Sequence, residues 1–224
     1  MVRFFNRSET VQLFTYATQS HREMCQRFVV SKANQAGFDG CYVFEAEQVC
    51  ESGKYNTAGF NEQMWLKLDG LASIPIGTKA CYVDADCLIL PGLRQWCESW
   101  LSSNDAIGHG NDAGLFCMGT LVFEQSQRTV DWWKFIRQLA WITKLHDQQS
   151  VNGLMRNAKQ VPVGMAFLPR EVFANFSYGG CREHWTGDAI PVPTDCLCWH
   201  ANFCIGLEMK TKMLEKLEKW AAKS

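Results

Sequence analysis

Lys79-Ala-Cys-Tyr-Val-Asp84-Ala-Asp86-Cys-Leu-Ile-Leu90 sets two carboxylates, one residue apart, inside an otherwise apolar run. Lys79–Val83 reads as a strand that is apolar over nearly its whole length, the pattern of a strand covered on both faces. Acids that interrupt such a run are costly unless they are paired or hold a cation. In sheets with helices on both faces, ligands sit beyond the carboxyl ends of the strands, and Asp84 and Asp86 fall there. Their oxygens suit Mg²⁺ or Mn²⁺, and such a cation would neutralise bound phosphates. A surface turn with solvated acids carries the same spacing, so the motif alone leaves both readings open.

Outward from this stretch, strands alternate with helices. Gln12–Ala17 and Cys41–Glu45 read as strands, separated by a helix capped by Ser20 that reaches about Asn34 and ends at Gly37. Asn61–Leu71 is a helix with Met64, Trp65, Leu68 and Leu71 on one face. Beyond the acids come a helix at Leu93–Leu101, a strand within Gly114–Phe123, an amphipathic helix at Thr129–Thr143 and a helix at Asp147–Asn157. Strands at Val161–Leu168 and Cys196–Trp199 follow, then a charged helix at Gly206–Lys223. Trp132, Trp133 and Trp141 stand at helical spacing and are expected in the core. The alternation predicts an α/β fold, a mixed and mostly parallel sheet with helices on both faces. No repeat, linker or low-complexity segment divides the chain, so 1–224 reads as one domain.

Composition narrows the function. The chain has 224 residues and is 47% hydrophobic, enough to bury a full core. Its 22 basic and 23 acidic residues give a net charge of −1. No basic stripe is present, which argues against a nucleic-acid partner. No apolar run approaches the roughly 18 residues of a membrane span, and Met1–Arg7 lacks the apolar core of a secretion signal. The eleven cysteines then read as buried free thiols in a soluble, cytoplasmic, reducing setting. The sequons at Asn6 and Asn175 are silent there. Cys196-Leu-Cys198-Trp-His200 sets three metal donors on one face of a strand, but no second pair stands at zinc spacing.

Asp-x-Asp after an apolar strand also serves haloacid-dehalogenase-like phosphatases as the nucleophile motif. Those enzymes need a second acidic pair downstream and usually carry the nucleophile near the N-terminus. Here the motif lies past residue 80, and Thr186-Gly187-Asp188 runs on as Ala-Ile-Pro-Val.

Four segments, in order, resemble the GT-A nucleotide-diphospho-sugar transferases, the group of glycogenin-like, lipopolysaccharide galactosyltransferase-like and plant and algal-virus cell-wall-type enzymes. They are Leu13-Phe-Thr-Tyr-Ala-Thr18, Tyr82-Val-Asp-Ala-Asp86, His146-Asp-Gln-Gln-Ser-Val-Asn152 and His200-Ala-Asn-Phe-Cys-Ile-Gly-Leu-Glu-Met-Lys210. The resemblance spans nearly the whole chain. It implies a GT-A fold in which 1–110 mainly binds the nucleotide and 111–224 mainly the sugar and acceptor. It implies a metal-dependent glycosyltransferase that moves a sugar from a UDP- or GDP-sugar to a glycan or other hydroxyl acceptor, with retention of configuration.

By the same resemblance Asp84, Asp86 and His200 hold the metal, and the imidazole tilts the set toward Mn²⁺ over Mg²⁺. Donor contacts fall on Thr15, Tyr16, Ala17, Lys67, Asp84, Ala85, Gly114, Gly206 and Lys210. Gly206 precedes a helix and Lys210 lies one turn in, which suits a diphosphate. Asp147, Gln148 and Asp112 are the catalytic candidates beside the reacting sugar; an inverting enzyme would take its base from Asp112 or Asp147. Asp112-Ala-Gly114 resembles the family's Asn-Ala-Gly loop with Asp in place of the common Asn. The polar, aromatic loop Phe176–Trp185 is a candidate acceptor surface. A nucleotide-sugar-binding module without turnover would use the same donor residues, yet binding alone needs less than this metal set.

Overall fold

The computed structural model describes residues 10–50, 57–157, 163–180, 184–187 and 189–223. Its strands are β1 (Gln12–Ala17), β2 (Cys41–Glu45), β3 (Lys79–Asp84), β4 (Cys87–Ile89), β5 (Ile107–Asp112), β6 (Leu115–Glu124), β7 (Met165–Phe167), β8 (Phe173–Asn175) and β9 (Cys198–His200). The α-helices are α1 (Arg22–Phe28), α2 (Phe60–Ala72), α3 (Leu93–Ser103), α4 (Gln127–Thr143), α5 (Asp147–Asn157) and α6 (Leu207–Ala221).

The apolar run at Lys79 forms an inner strand. The main sheet has the order β2-β1-β3-β6-β5-β7. β1 pairs in parallel with β2 and β3, and β5 with β7, while β6 runs against both of its neighbours. Because side chains alternate across a strand, β3 divides its residues between two cores. Cys81 and Val83 join Leu13, Leu93 and Cys97 on the α3 face. Ala80 and Tyr82 join Leu68, Leu71, Trp132, Trp133 and Ile136 on the face covered by α2 and α4. A second sheet, β4-β9-β8, packs Leu88, Ala174 and Trp199 against Met24 and Phe28 of α1 and Met213, Leu214 and Leu217 of α6. The mixed, mostly parallel sheet with helices on both faces is the expected one.

Several boundaries differ from the sequence reading for local reasons. The segment after Ser20 is not one helix: α1 spans Arg22–Phe28 and is flanked by 3₁₀ turns at Gln19–His21 and Val30–Lys32. Ser20 caps nothing; its hydroxyl meets Thr18 Oγ1 and His21 Nδ1. α4 begins two residues early because Ser126 and Thr129 form a capping box. Trp132 and Trp133 are wholly buried, whereas Trp141 is 52% exposed, so the expectation that all three are core fails for Trp141. Residues 161 and 162 of the expected Val161–Leu168 strand lie outside the described residues, as do Asn6, Ser8 and Asp188; the strand itself is Met165–Phe167.

Candidate active site

β3 ends at Asp84, and β4 begins at Cys87 beside β9, where Cys87 pairs with His200. The chain therefore leaves one sheet and enters the other between the two acids. A backbone hydrogen bond from Ala201 N to Asp86 O, 2.9 Å, fixes the crossing. Asp86 Oδ1 lies 3.3 Å from His200 Nε2, and Asp84 Oδ2 lies 3.9 Å from the same nitrogen. Lys210, on α6, sets Nζ 2.5 Å from Asp86 Oδ2. Burial alone would raise the Asp86 carboxyl, but Lys210 and His200 hold it well below the usual carboxylate range. Burial would lower His200, and Asp86 instead raises its imidazole well above the ordinary range. His200 Nδ1 meets Cys117 Sγ at 3.4 Å, a partner that fixes the ring.

A second charged group lies beside the first. Lys67 of α2 is 2% exposed, with Nζ 2.5 Å from Asp147 Oδ2 and 3.4 Å from Asp84 Oδ1. Burial opposes its charge, yet the two carboxylates raise its ammonium above the usual lysine range. Asp147 opens α5 and accepts from Gln148 N at 2.8 Å. Burial would raise its carboxyl, and Lys67 and His146 hold it below the usual range. Tyr82 donates its hydroxyl to Asp84 Oδ1 at 2.5 Å, so one Asp84 oxygen is held inside the protein while Oδ2 faces His200.

A β-bulge connects the two groups. β5–β6 pairing jumps from His109↔Leu121 to Gly110↔Cys117, which leaves Met118, Gly119 and Thr120 outside the β5 ladder. Such bulges re-aim backbone next to sites. Here Met118 O accepts from Lys67 Nζ at 3.2 Å, and Met118 N donates to Gln148 Oε1 at 3.3 Å. Gln148 Nε2 in turn donates to Asp112 Oδ2 at 2.9 Å. Asp112 Oδ1 is buried with no hydrogen-bond partner. Ala113 and Gly114 both adopt positive φ, 52° and 91°, in the two-residue turn from β5 to β6. Ser177 Oγ accepts from Ala113 N at 3.2 Å.

These groups line one cleft of about 720 Å³, the size of a small-ligand site. Tyr16, Lys67, Asp84, Ala85, Asp86, Asp112, Asp147, Gln148, His200 and Lys210 all line it. Thr15 and Ala17 point to the other face of β1, where Thr15 Oγ1 meets Cys25 Sγ at 4.0 Å and Ala17 packs beside Cys25. Gly114 and Gly206 flank the cleft without lining it, and Gly206 is the N-cap of α6. Of the Phe176–Trp185 loop, His184 lines the cleft and Trp185 is buried with the α1–α6 core; residues 181–183 lie outside the described residues.

Whether a divalent cation fits can be judged from the donors. Two atoms bound at about 2.1 Å and at right angles stand about 3 Å apart, close to the Asp86–His200 separation. Asp84 Oδ2 completes an O,O,N set. Asp86, Cys87 and His200 also offer donor atoms within 4.8 Å of one another. The Cys87 thiol, however, faces Gly119 O at 3.7 Å, and burial together with Cys198 pushes it well above the usual thiol range. A thiol is also a softer donor than the carboxylates, less suited to a hard cation. The Asp84, Asp86 and His200 set fits a hard cation such as Mn²⁺ or Mg²⁺.

Gly119 is a site residue that the sequence reading missed, as is Cys117 beside His200. A Cβ at Gly119 would stand 2.2 Å from His200 Cε1 and 2.7 Å from Asp84 Oδ2. A glycine inside the apolar strand Leu115–Glu124 is itself a sign of a bulge or a close approach. Gly119→Ala should push His200 off Asp84 and Asp86. Calorimetric Mn²⁺ affinity should fall by about 10–100-fold with the circular dichroism spectrum unchanged; unaltered affinity would separate this glycine from any cation site at Asp84, Asp86 and His200.

Residues 80–214 match the family model described as nucleotide-diphospho-sugar transferase. No curated protein matches the sequence. Among solved structures, a glycosyltransferase involved in glycosylation of the major capsid of the virus PBCV-1 superposes with TM-score 0.59 at 14% identity, covering 92% of this chain and 99% of that one. The galactosyltransferase LgtC, in complex with donor and acceptor sugar analogs, superposes with TM-score 0.58 at 13% identity over 95% of each chain. Mouse xyloside xylosyltransferase 1 gives TM-score 0.52 at 13% identity over 86% of this chain and 97% of that one. At these identities the likeness is one of fold, the GT-A fold. The family match extends over more than half of the residues, and the chain belongs to the nucleotide-diphospho-sugar transferase family.

Proposed function

We propose that this protein is a divalent-cation-dependent glycosyltransferase that moves a sugar from a UDP- or GDP-sugar to a hydroxyl acceptor, with retention of configuration. The observation that carries the reading is the convergence of Asp84, Asp86, His200 and Lys210 at one end of the cleft floor with Asp147, Gln148 and Asp112 beside them. Residues before 110 supply Tyr16, Lys67 and the two motif acids, the nucleotide part. Residues after 111 supply the sugar-facing acids and the His200–Lys210 segment.

Asp84, Asp86 and His200 would hold the cation, Mn²⁺ before Mg²⁺ because of the imidazole. When bound, that ion would offset the charge that builds on the departing diphosphate. Lys210 adds a second positive group on the same side, and Gly206 opens α6 so that its first N–H groups can approach a phosphate. Gln148 and Asp112, joined by their hydrogen bond, orient sugar hydroxyls. Lys67 acts from below, holding Asp84 and Asp147 in place and favouring the ionised form of Asp147.

Retention draws support from the state of the two carboxylates that could serve as base. Asp147 is buried against Lys67 and held strongly acidic, and a carboxylate so stabilised is a weak base. Asp112 shares one oxygen with Gln148. The leaving phosphate is then the better acceptor for the acceptor's proton. A screen of UDP- and GDP-sugars with Mn²⁺ should show one donor hydrolysed or transferred, and proton NMR of the product should show the donor's anomeric configuration. Tight donor binding with no turnover for any sugar would leave a binding module. An inverted product would make Asp112 the base.

A further inference from the structure

Among the large hydrophobic side chains that the described residues expose, three fall within five positions at the end of α4: Trp141, Ile142 and Leu145, at 52%, 62% and 37% exposure. Exposed apolar patches of this kind mark interaction surfaces. The segment has a defined backbone. α4 stops at Lys144, which adopts φ 57°, and Leu145 caps the turn through its N–H to Ala140 O at 3.1 Å. Beneath it, Trp65 donates its indole N–H to Leu145 O at 2.9 Å. The knob is thus a built feature rather than a frayed end.

Its surroundings are basic although the chain as a whole is slightly acidic. Lys144 lies over the rings of both Trp141 and Trp65. Lys134 and Arg137 stand two turns and one turn before Trp141, on the same side of the helix, and Arg128 lies further back. Lys134 and Arg128 are exposed. Asp131 is the one acid in α4, and Asp69 answers only Arg137. An aromatic and aliphatic tip ringed by cations with long apolar stems is the chemistry that inserts at a lipid–water boundary and is drawn to anionic headgroups.

The position of the knob ties it to the cleft. Leu145 lines the cleft and is followed directly by His146, Asp147 and Gln148. On another segment of the cleft wall Ile205 is 49% exposed, with Phe203 beside it. Two of the exposed apolar residues therefore belong to the cleft itself.

We propose that residues 141–145, with the basic residues of α4, dock this protein on an anionic lipid surface. Docked in this way, the cleft opens toward the membrane, where an acceptor hydroxyl would be presented. That last step rests on the transferase reading above; the docking does not.

The test is co-sedimentation of the full chain with vesicles of phosphatidylcholine alone and of phosphatidylcholine mixed with phosphatidylglycerol. Binding is expected to the mixed vesicles and to be lost at high salt. Trp141→Ser with Ile142→Ser should weaken it at least about tenfold, and Lys134→Glu by several-fold. Donor hydrolysis without vesicles should match the unaltered protein in every variant, because none of these side chains touches the site; if no donor is hydrolysed while vesicles still bind, only the transferase reading fails. Equal binding to neutral vesicles, binding that survives the Trp141 and Ile142 changes, or a dimer that those changes dissociate without any vesicle binding would each overturn the proposal. The last would assign the knob to a second copy of the chain.

Discussion

Asp86→Ala should abolish the Mn²⁺-dependent rise in melting temperature that a nucleoside diphosphate produces, and should cut transfer by at least about 10²–10³-fold, the scale of removing one preorganised charge-stabilising group. Asp86 stands between two basic side chains at one end of the cleft. One oxygen faces His200 and the other faces Lys210, and the residue is 6% exposed. Without it, Lys210 loses its counter-charge and the cation loses an oxygen donor between Asp84 and His200. The fold should survive, because the Lys210 side chain is one-fifth exposed and can turn to water, and His200 can give up its proton.

Lys210→Met separates the two positive roles at this site, and the sign of its effect is opposite for the two ligands. The ammonium competes with a cation for Asp86 Oδ2, so its loss should leave Mn²⁺ affinity measured alone equal or higher. If a cation displaces that ammonium from Asp86, it becomes available to a diphosphate, so affinity for UDP in the presence of Mn²⁺ should fall. Calorimetry with each ligand in turn checks both signs. A parallel loss of both affinities would mean that Lys210 only holds the local fold together.

Much of this arrangement is legible in the sequence where a segment has one dominant physical reason for its state. β3 is apolar on both faces and ends in acids that would be costly elsewhere, and the structure buries Ala80 through Val83 completely. The helices that open at Asp147 and after Gly206 follow their charge and glycine signals. β5 was not legible. Ile-Gly-His-Gly-Asn-Asp has poor strand propensity, yet it pairs with both β6 and β7. Its glycines answer to packing: a Cβ at Gly108 would meet Leu168 and Trp100, and one at Gly110 would meet Thr120 Oγ1 at 2.0 Å. β4 and β8 are three residues each and exist only because β9 lies between them. Lys67 was legible as a helix residue near the motif strand. Its partners were not, because the Asp147 that meets it comes 80 residues later in the chain.

Lys67→Met is the substitution with the largest expected effect on stability. It removes the counter-charge of Asp147, whose side chain is 3% exposed, and leaves an ionised carboxylate buried beside apolar atoms. Breaking a buried pair on one side costs about 3–5 kcal/mol, which for a chain of this length corresponds to a melting-temperature loss of roughly 6–20 °C. The pH dependence tests the cause. In the unaltered protein Asp147 is held below its unfolded value, so its contribution is complete above about pH 4 and is lost as pH falls through the depressed folded value. In the variant, burial without Lys67 raises the carboxyl above its unfolded value. The ionised form then costs stability at neutral pH, and the deficit shrinks on acidification as Asp147 takes up a proton. Melting curves of the two proteins should therefore converge between neutral and mildly acid pH. Adding Asp147→Asn to Lys67→Met should recover most of the loss at neutral pH, since position 147 then carries no unpaired buried charge. A deficit that stays constant with pH, and that Asp147→Asn does not repair, would assign it to the packing of the Lys67 stem between α2 and β6 instead of to the ion pair.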